Sequence, residues 1–377
     1  MKLTKQQKEL LAVTPDDKLK VVFPDFTRAF LREEKRKCKK PPTTEEQVEQ
    51  DKDNLLFKSA ESELSKKYKK SLSIINSLQR ELGAALELSK HNETYRIIPS
   101  RGVHSEATAV IVASDWHYEE LVKSANLNGL NQYNLEIADQ RIEKFFQNAL
   151  RLLNICKHDV EIHNIVFALL GDFISGNIHE ENLETAQLRP AEAAFTVQRK
   201  LMSGIKFFLE NTDCNLVIPC SVGNHSRITQ KIHNATEVGN SLEGLMYHNM
   251  AMCFENEPRV QFVIGEGYHT YLTIYDKLVR FHHGHAIKYK GGVGGVYIPL
   301  NSAITQWNKA KFAYLDVLGH WHQQRDGGNF MINGSIIGYS AYSLFIKAEY
   351  EEPKQLFFLI DRDRGKTIVA PILVNKD

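Results

Sequence analysis

Five short clusters of Asp, Asn and His are the parts of this sequence best equipped for chemistry. They are Asp115-Trp116-His117, Gly171-Asp172, Gly223-Asn224-His225, His282-His283-Gly284-His285 and Gly319-His320-Trp321-His322. Five of the fifteen histidines fall in the last two clusters, within 41 residues. Carboxylate, amide and imidazole together suit borderline divalent cations such as Mn, Fe, Zn or Ni. Asp115, His117, Asp172, Asn224, His283, His320 and His322 are seven candidate ligands, too many for one tetrahedral site. Their number implies two ions that share a carboxylate.

The elements that must position these clusters follow from periodicity. Residues 108–113, 163–170 and 214–222 are short apolar runs that predict strands, and 136–156, 183–210 and 237–254 predict helices. Strands alternating with helices imply βαβ units and a mostly parallel sheet. The first three clusters each follow one of these strands, and carboxyl ends of parallel strands border the ligand crevice. Further strands are expected at 260–264, 268–275, 278–282, 314–318, 330–332, 355–360 and 368–374. They form a second sheet packed on the first. The expected fold is α/β, a layered α/β/β/α sandwich over 101–377, with a helical, net-basic extension over 1–100.

Composition bounds the rest. The chain has 377 residues, 42% hydrophobic and 25% charged, which permits a sizeable core and excludes global disorder. Net charge is +1, which excludes a uniformly basic nucleic-acid binder. Residues 1–100 nevertheless carry 21 Lys/Arg against 16 Asp/Glu. Within them, Leu55, Leu56, Leu64, Tyr68, Leu72, Ile75, Leu78 and Leu82 recur at helical spacing over 45–88. This stripe suits a helix packed on the main domain or on its own copy, and the charge suits a nucleic-acid contact. Five cysteines without a CxxC pair give no disulfide framework. No apolar stretch approaches the ~20 residues of a membrane span, and no apolar leader follows Lys2 and Lys5. The cytosol is the expected location.

The order DxH, GD, GNH, HGH, GHxH resembles the calcineurin-like metallophosphoesterase superfamily from residue 107 onward, and not over 1–100. That resemblance implies a four-layer metallophosphoesterase sandwich with two divalent ions, Mn first, with Fe, Zn, Ni or Mg as alternatives. It implies that Asp115, His117 and His322 hold the first ion, that Asp172 bridges, and that Asn224, His283 and His320 complete the second. His283 is chosen over His282 because it precedes Gly284 as in the family motif. His225 is implied as a catalytic residue that does not bind metal and that stabilises or protonates the leaving oxygen. An imidazole near its ordinary pKa of ~6.5 is a natural proton donor. The sequence departs from the family where Ser226 and Arg227 follow GNH in place of an acid.

The implied activity is metal-dependent hydrolysis of a phosphodiester, DNA or RNA included. FHHGH and GHWH are similar to the branch holding the nuclease subunits of double-strand-break repair complexes. The alternatives are a phosphomonoesterase, a cyclic-nucleotide phosphodiesterase, or a partner-binding scaffold on the same fold. Arg227 and His285 are candidate substrate contacts, set against a solvated arginine and a polar loop residue. Trp116 and Trp321 are expected to pack rather than to stack on bases. Gly291, Gly292, Gly294 and Gly295 lack the Lys-Ser/Thr of a phosphate-binding loop. His158, His163, His179, His233, His248 and His269 match no motif.

Overall fold

A computed structural model describes residues 2–38, 52, 66–67, 69–71, 73, 95–98, 105–288 and 295–375. The stripe from Leu55 to Leu82, together with Gly291, Gly292 and Gly294, lies outside the described residues. The chain divides into two compact units, Met1–Glu93 and Thr94–Asp377. Residues 96–97 belong to the second unit because they pair with one of its strands.

In the first unit, the helices Lys5–Val13, Leu19–Val22 and Arg28–Cys38 enclose a small core of Leu3, Leu11, Leu19, Phe23 and Leu31. A reciprocal cap starts the first helix. Gln7 N donates to Thr4 Oγ1 at 3.4 Å, and Thr4 N donates to Gln7 Oε1 at 2.9 Å.

The second unit is α/β. Its larger sheet holds β2 (Glu106–Ala113), β3 (Glu161–Leu169), β4 (Asn215–Cys220) and β5 (Val260–Ile264), all parallel. β11 (Lys354–Asp361) pairs antiparallel with β2, and β12 (Gly365–Leu373) antiparallel with β11, so the strands expected at 260–264, 355–360 and 368–374 extend the first sheet and do not join the second. The other sheet runs in the order β1 (Arg96–Ile97), β6 (Thr270–Ile274), β7 (Lys277–His282), β8 (Leu315–Leu318), β10 (Phe330–Ile332), β9 (Arg325–Asp326). Within it β7 and β8 are parallel, as are β8 and β10.

Alternation along the strands explains where the cores lie. Val110, Val112, Val166, Leu356 and Phe358 of the larger sheet share one core with Leu272, Val279, Phe281 and Val317 of the other. Ala109, Ile111, Ile165 and Phe167 face the opposite way, onto the helices Leu135–Lys157, Pro190–Asn211 and Leu242–Cys253. Phe145, Phe146, Phe167 and Phe208 meet there at ring separations of 4.9 to 6.3 Å. Each such ring contributes about 1.5–3 kcal/mol by burial. On the second sheet, Leu318, Phe330 and Ile332 pack against Leu300 and Ile304 of the helix Tyr297–Ala310.

Two helix expectations need correction. The stretch 183–210 is not one helix but two, Glu180–Thr185 and Pro190–Asn211. Pro190 lacks the N–H a continuing helix needs, and instead occupies the first turn of the second helix. The stretch 237–254 opens with a separate 3₁₀ turn, Val238–Asn240, before Ser241 caps Leu242–Cys253 by accepting from Gly244 N at 3.3 Å. The helix Tyr297–Ala310 was not anticipated; its buried face is only Leu300 and Ile304. Among the described residues no helix is long and apolar enough to cross a membrane.

Candidate metal centre

All five clusters sit where strands end. β2 runs into Asp115 and His117, β3 into Asp172, β4 into Asn224 and His225, β7 into His283, and β8 into His320 and His322. Side-chain atoms of Asp115, His117 and His322 lie within 4.8 Å of one another, as do those of Asp172, His283 and His320. A third group, His117, Asp172 and His225, lies between these two.

Tight backbone geometry makes this convergence possible. Asp115, His117, Asp172, His320 and His322 all have positive φ, at 54°, 45°, 52°, 70° and 54°. Non-glycine residues in this region cost of order 1–3 kcal/mol each and persist only where surrounding structure holds them. Here Asp115 N donates to Gly171 O at 3.0 Å, His117 N to Asp172 O at 3.2 Å, and Gly319 N to His283 O at 2.9 Å. The glycines of GD and GNH are required by close approach. A Cβ on Gly171 would stand 2.1 Å from Gly223 N, and one on Gly223 would stand 2.1 Å from Asp172 Oδ1.

The histidines are oriented by partners behind them. His283 Nδ1 donates to Leu170 O at 2.6 Å, which leaves Nε2 facing Asp172 Oδ2 at 2.8 Å. His117 Nδ1 lies 2.9 Å from Ser175 Oγ, and that hydroxyl donates to Glu120 Oε2 at 2.9 Å. His117 therefore presents Nε2, 3.2 Å from His322 Nε2. Such outer partners fix the tautomer of a metal-binding imidazole. On the carboxylate side, His320 N donates to both oxygens of Asp115 at 3.0 Å, and Ser114 Oγ donates to Oδ2.

Electrostatics favour the ligand form at Asp172, His117 and His320, and oppose it at His283 and His322, whose carboxylate neighbours favour the protonated ring. Burial would raise the Asp172 carboxyl, but His283, His225 and His117 hold it well below the usual range. Burial opposes protonation of His283, yet the Asp172 charge pushes it up to about 10. Burial and neighbouring imidazoles hold His117 and His320 well below the ordinary histidine value. Ionised Asp and neutral His are what a cation requires. Asn224 Oδ1 is buried with no hydrogen-bond partner, an acceptor aimed at nothing in the protein. The residues present thus fit divalent ions.

His225 falls in the third group, with His117 and Asp172. Its ring is edge-on to His117, with centroids 4.8 Å apart, and its Nδ1 lies 3.0 Å from Ser175 O. Its backbone N–H donates to Asp172 Oδ1 at 2.8 Å. His282 is fully buried beside Asp316, 3.4 Å away, and belongs to none of the three groups. Arg227 donates to the carbonyls of Asn224 at 2.6 Å, Thr229 at 3.2 Å and Gln230 at 3.5 Å, and so braces its own loop. His285 is buried against Glu237 at 2.8 Å, with its ring 5.6 Å from that of His283. Trp116 packs edge-on to Phe173, 4.9 Å between centroids, and Trp321 against the core beneath the helix Tyr297–Ala310.

Sequence reasoning missed four residues that brace the site: Glu119, Glu120, Ser175 and Glu243. Burial pushes the carboxyls of Glu119 and Glu243 up to about 7. Glu119 Oε1 accepts from Ser175 N and Gly176 N, both at 2.9 Å. No spacing rule marks these positions, because Glu119 and Glu243 act on backbone N–H groups, and Glu120 and Ser175 on the His117 ring, that only the fold brings near. His179, which matches no motif, has its ring 5.7 Å from that of His225.

No family model and no curated protein matches the chain. Among solved structures it is similar to the crystal structure of a hypothetical protein from Pyrococcus horikoshii OT3, with 10% identity and a TM-score of 0.36, covering 71% of this chain and 89% of that one.

Proposed function

We propose that the chain is a binuclear-metal phosphoesterase of the calcineurin-like metallophosphoesterase type that hydrolyses phosphodiesters. The observation that carries this reading is the pair of Asp/His groups set between five strand ends, with the orphaned Asn224 Oδ1 beside them. The core shared by two sheets, with helices on their outer faces, supports the four-layer sandwich as its frame. Asp115, His117, Asp172 and His322 would hold one ion, and Asp172, Asn224, His283 and His320 the other. A donor set of His, Asp and Asn without Cys suits Mn, Fe, Zn or Ni alike, and Mn is the first ion to test. Ions held there supply Lewis-acid polarisation of the phosphoryl group.

The protein's own residues do the rest. His225, with Nδ1 engaged by the Ser175 carbonyl, has Nε2 free to carry a proton to the leaving oxygen. The Glu120–Ser175 pair keeps His117 from rotating. The deciding experiment is a panel with added Mn: bis-p-nitrophenyl phosphate, p-nitrophenyl phosphate, cyclic nucleotides, and single- and double-stranded DNA and RNA. Turnover confined to monoesters or cyclic nucleotides would replace the diester reading. No turnover and no retained metal would favour a scaffold.

His225→Ala is expected to keep both ions and to slow hydrolysis about 10²-fold for alkoxide leaving groups. The loss should be smaller for nitrophenol, which leaves without protonation. Equal losses for both leaving groups would remove the acid role and leave electrostatic stabilisation.

Nucleic acid as the diester is supported by the excess of Lys and Arg over Asp and Glu in residues 1–100. A chain shortened to begin at Thr94 should still hydrolyse a small diester. Its affinity for DNA or RNA should fall, and should depend less steeply on salt. If the 45–88 stripe instead joins copies, light scattering should show a lower mass, with affinity per site unchanged.

A further inference from the structure

Glu243 belongs to none of the five clusters, yet its carboxylate reaches three neighbours of their members. It lies in the first turn of Leu242–Cys253 and is fully buried. Oε1 accepts from Phe173 N at 2.7 Å. Oε2 accepts from Gly223 N at 2.8 Å and from Ser226 Oγ at 3.0 Å. Those donors directly follow Asp172, directly precede Asn224 and directly follow His225. One carboxylate thus joins the loop leaving β3 to the loop leaving β4.

We propose that Glu243 is a positioning residue that sets the separation of Asp172 from Asn224, and so the geometry of the second ion position, without touching the ion. This rests on the two-ion reading. The two loops meet at the Gly171–Gly223 contact, where Asp172 Oδ1 accepts from His225 N at 2.8 Å and the Glu243 carboxylate adds bonds to both sides. Asp172 is held at φ 52°, a conformation that relaxes once its surroundings loosen. Two buried N–H groups aimed at one acceptor side chain need both of its oxygens. The first ion position draws Asp115, His117 and His322 from β2 and β8, which Glu243 does not touch. The first position shares only Asp172 with the loops Glu243 joins, whereas the second takes both Asp172 and Asn224 from them, so loss of Glu243 should fall mainly on the second position.

Glu243→Gln keeps the size of the side chain but turns an NH₂ toward one of these donors. The test is a stepwise Mn²⁺ titration of metal-free full-length protein by calorimetry, with Asn224→Ala marking which step belongs to the second position. Wild type should take two ions. In Glu243→Gln the second step should weaken about tenfold, in the range of outer-partner effects, while the first changes less than twofold. Ser226→Ala, which removes one donor and leaves both N–H bonds, should weaken the same step two- to threefold. If Glu243→Gln does not fold, Ser226→Ala decides, and a titration of that variant identical to wild type overturns the proposal. Equal weakening of both steps together with a lowered melting temperature overturns it as well, because it marks a purely structural role. Unchanged second-step affinity in a folded Glu243→Gln overturns it outright. A wild type that binds fewer than two ions fails the two-ion reading itself, a result separate from these.

Discussion

On the two-ion phosphoesterase reading proposed above, replacing Asp172 by Asn is expected to lower phosphodiester turnover by on the order of 10³–10⁴-fold, a loss of several kcal/mol of transition-state stabilisation. Asp172 is the one carboxylate placed between the two ligand groups, and its Oδ2 lies 2.8 Å from His283 Nε2. Asn removes the charge and little else. It tolerates left-handed backbone nearly as well as Asp, so φ 52° is retained. Its Oδ1 can still accept from His225 N, which now donates to Asp172 at 2.8 Å. Elemental analysis should find fewer than two ions per chain. Wild-type turnover with two ions still bound would contradict the bridging role.

The largest effect on stability is expected at Asp316, away from the ligands. Arg280 and Asp316 are both fully buried and doubly bonded, Nε to Oδ1 at 2.6 Å and Nη2 to Oδ2 at 2.9 Å. Arg280 also donates to Asn308 Oδ1 at 2.8 Å and lies over the Trp307 ring at 5.3 Å. Asp316→Asn leaves a guanidinium charge in the core without a counter-charge, at a cost of about 3–5 kcal/mol. Urea denaturation of the metal-free protein should show this as a lowered midpoint. Replacing both partners by apolar residues of similar volume should recover much of it, since desolvating the pair is itself costly. Burial would raise the Asp316 carboxyl, but His282 and Arg280 hold it below its ordinary value. Its contribution is therefore present above pH ~4 and fades as pH falls through the lowered folded value. The variant should lack that part of the acid-side decline. Unchanged midpoints at neutral pH would show that water or another group neutralises Arg280.

The strand ends were legible because a parallel strand buried on both faces reads as an unbroken apolar run. β2 is buried along its whole length, and its sequence, EATAVIVA, says so directly. Asp, Asn or His straight after such a run has little structural reason to be there. Gly171 and Gly223 were legible as motif members, but their cause, a backbone contact with no room for a Cβ, appears only in three dimensions. Glu243 and Ser175 were illegible because their partners, peptide groups for Glu243 and the His117 ring for Ser175, lie far away in sequence. Glu243 lies 70 residues from Phe173, its partner through Oε1. The break at Pro190 was written in the sequence and passed over in favour of a long helical pattern. Arg227 looked available because a guanidinium in a loop resembles a ligand hook; in the fold its nitrogens hold the loop's own carbonyls.

The five left-handed residues carry an evolutionary implication. His117, His320 and His322 occupy backbone that glycine would adopt without strain, at 45°, 70° and 54°. Glycine at any of them would relieve the backbone and erase an imidazole in the same step. Such a replacement would trade a candidate ligand for relaxed backbone, less the entropy that glycine costs on folding. A lineage released from the need for this chemistry would be expected to lose these histidines early. This chain keeps all three, together with Asp115 and Asp172 in the same contorted backbone.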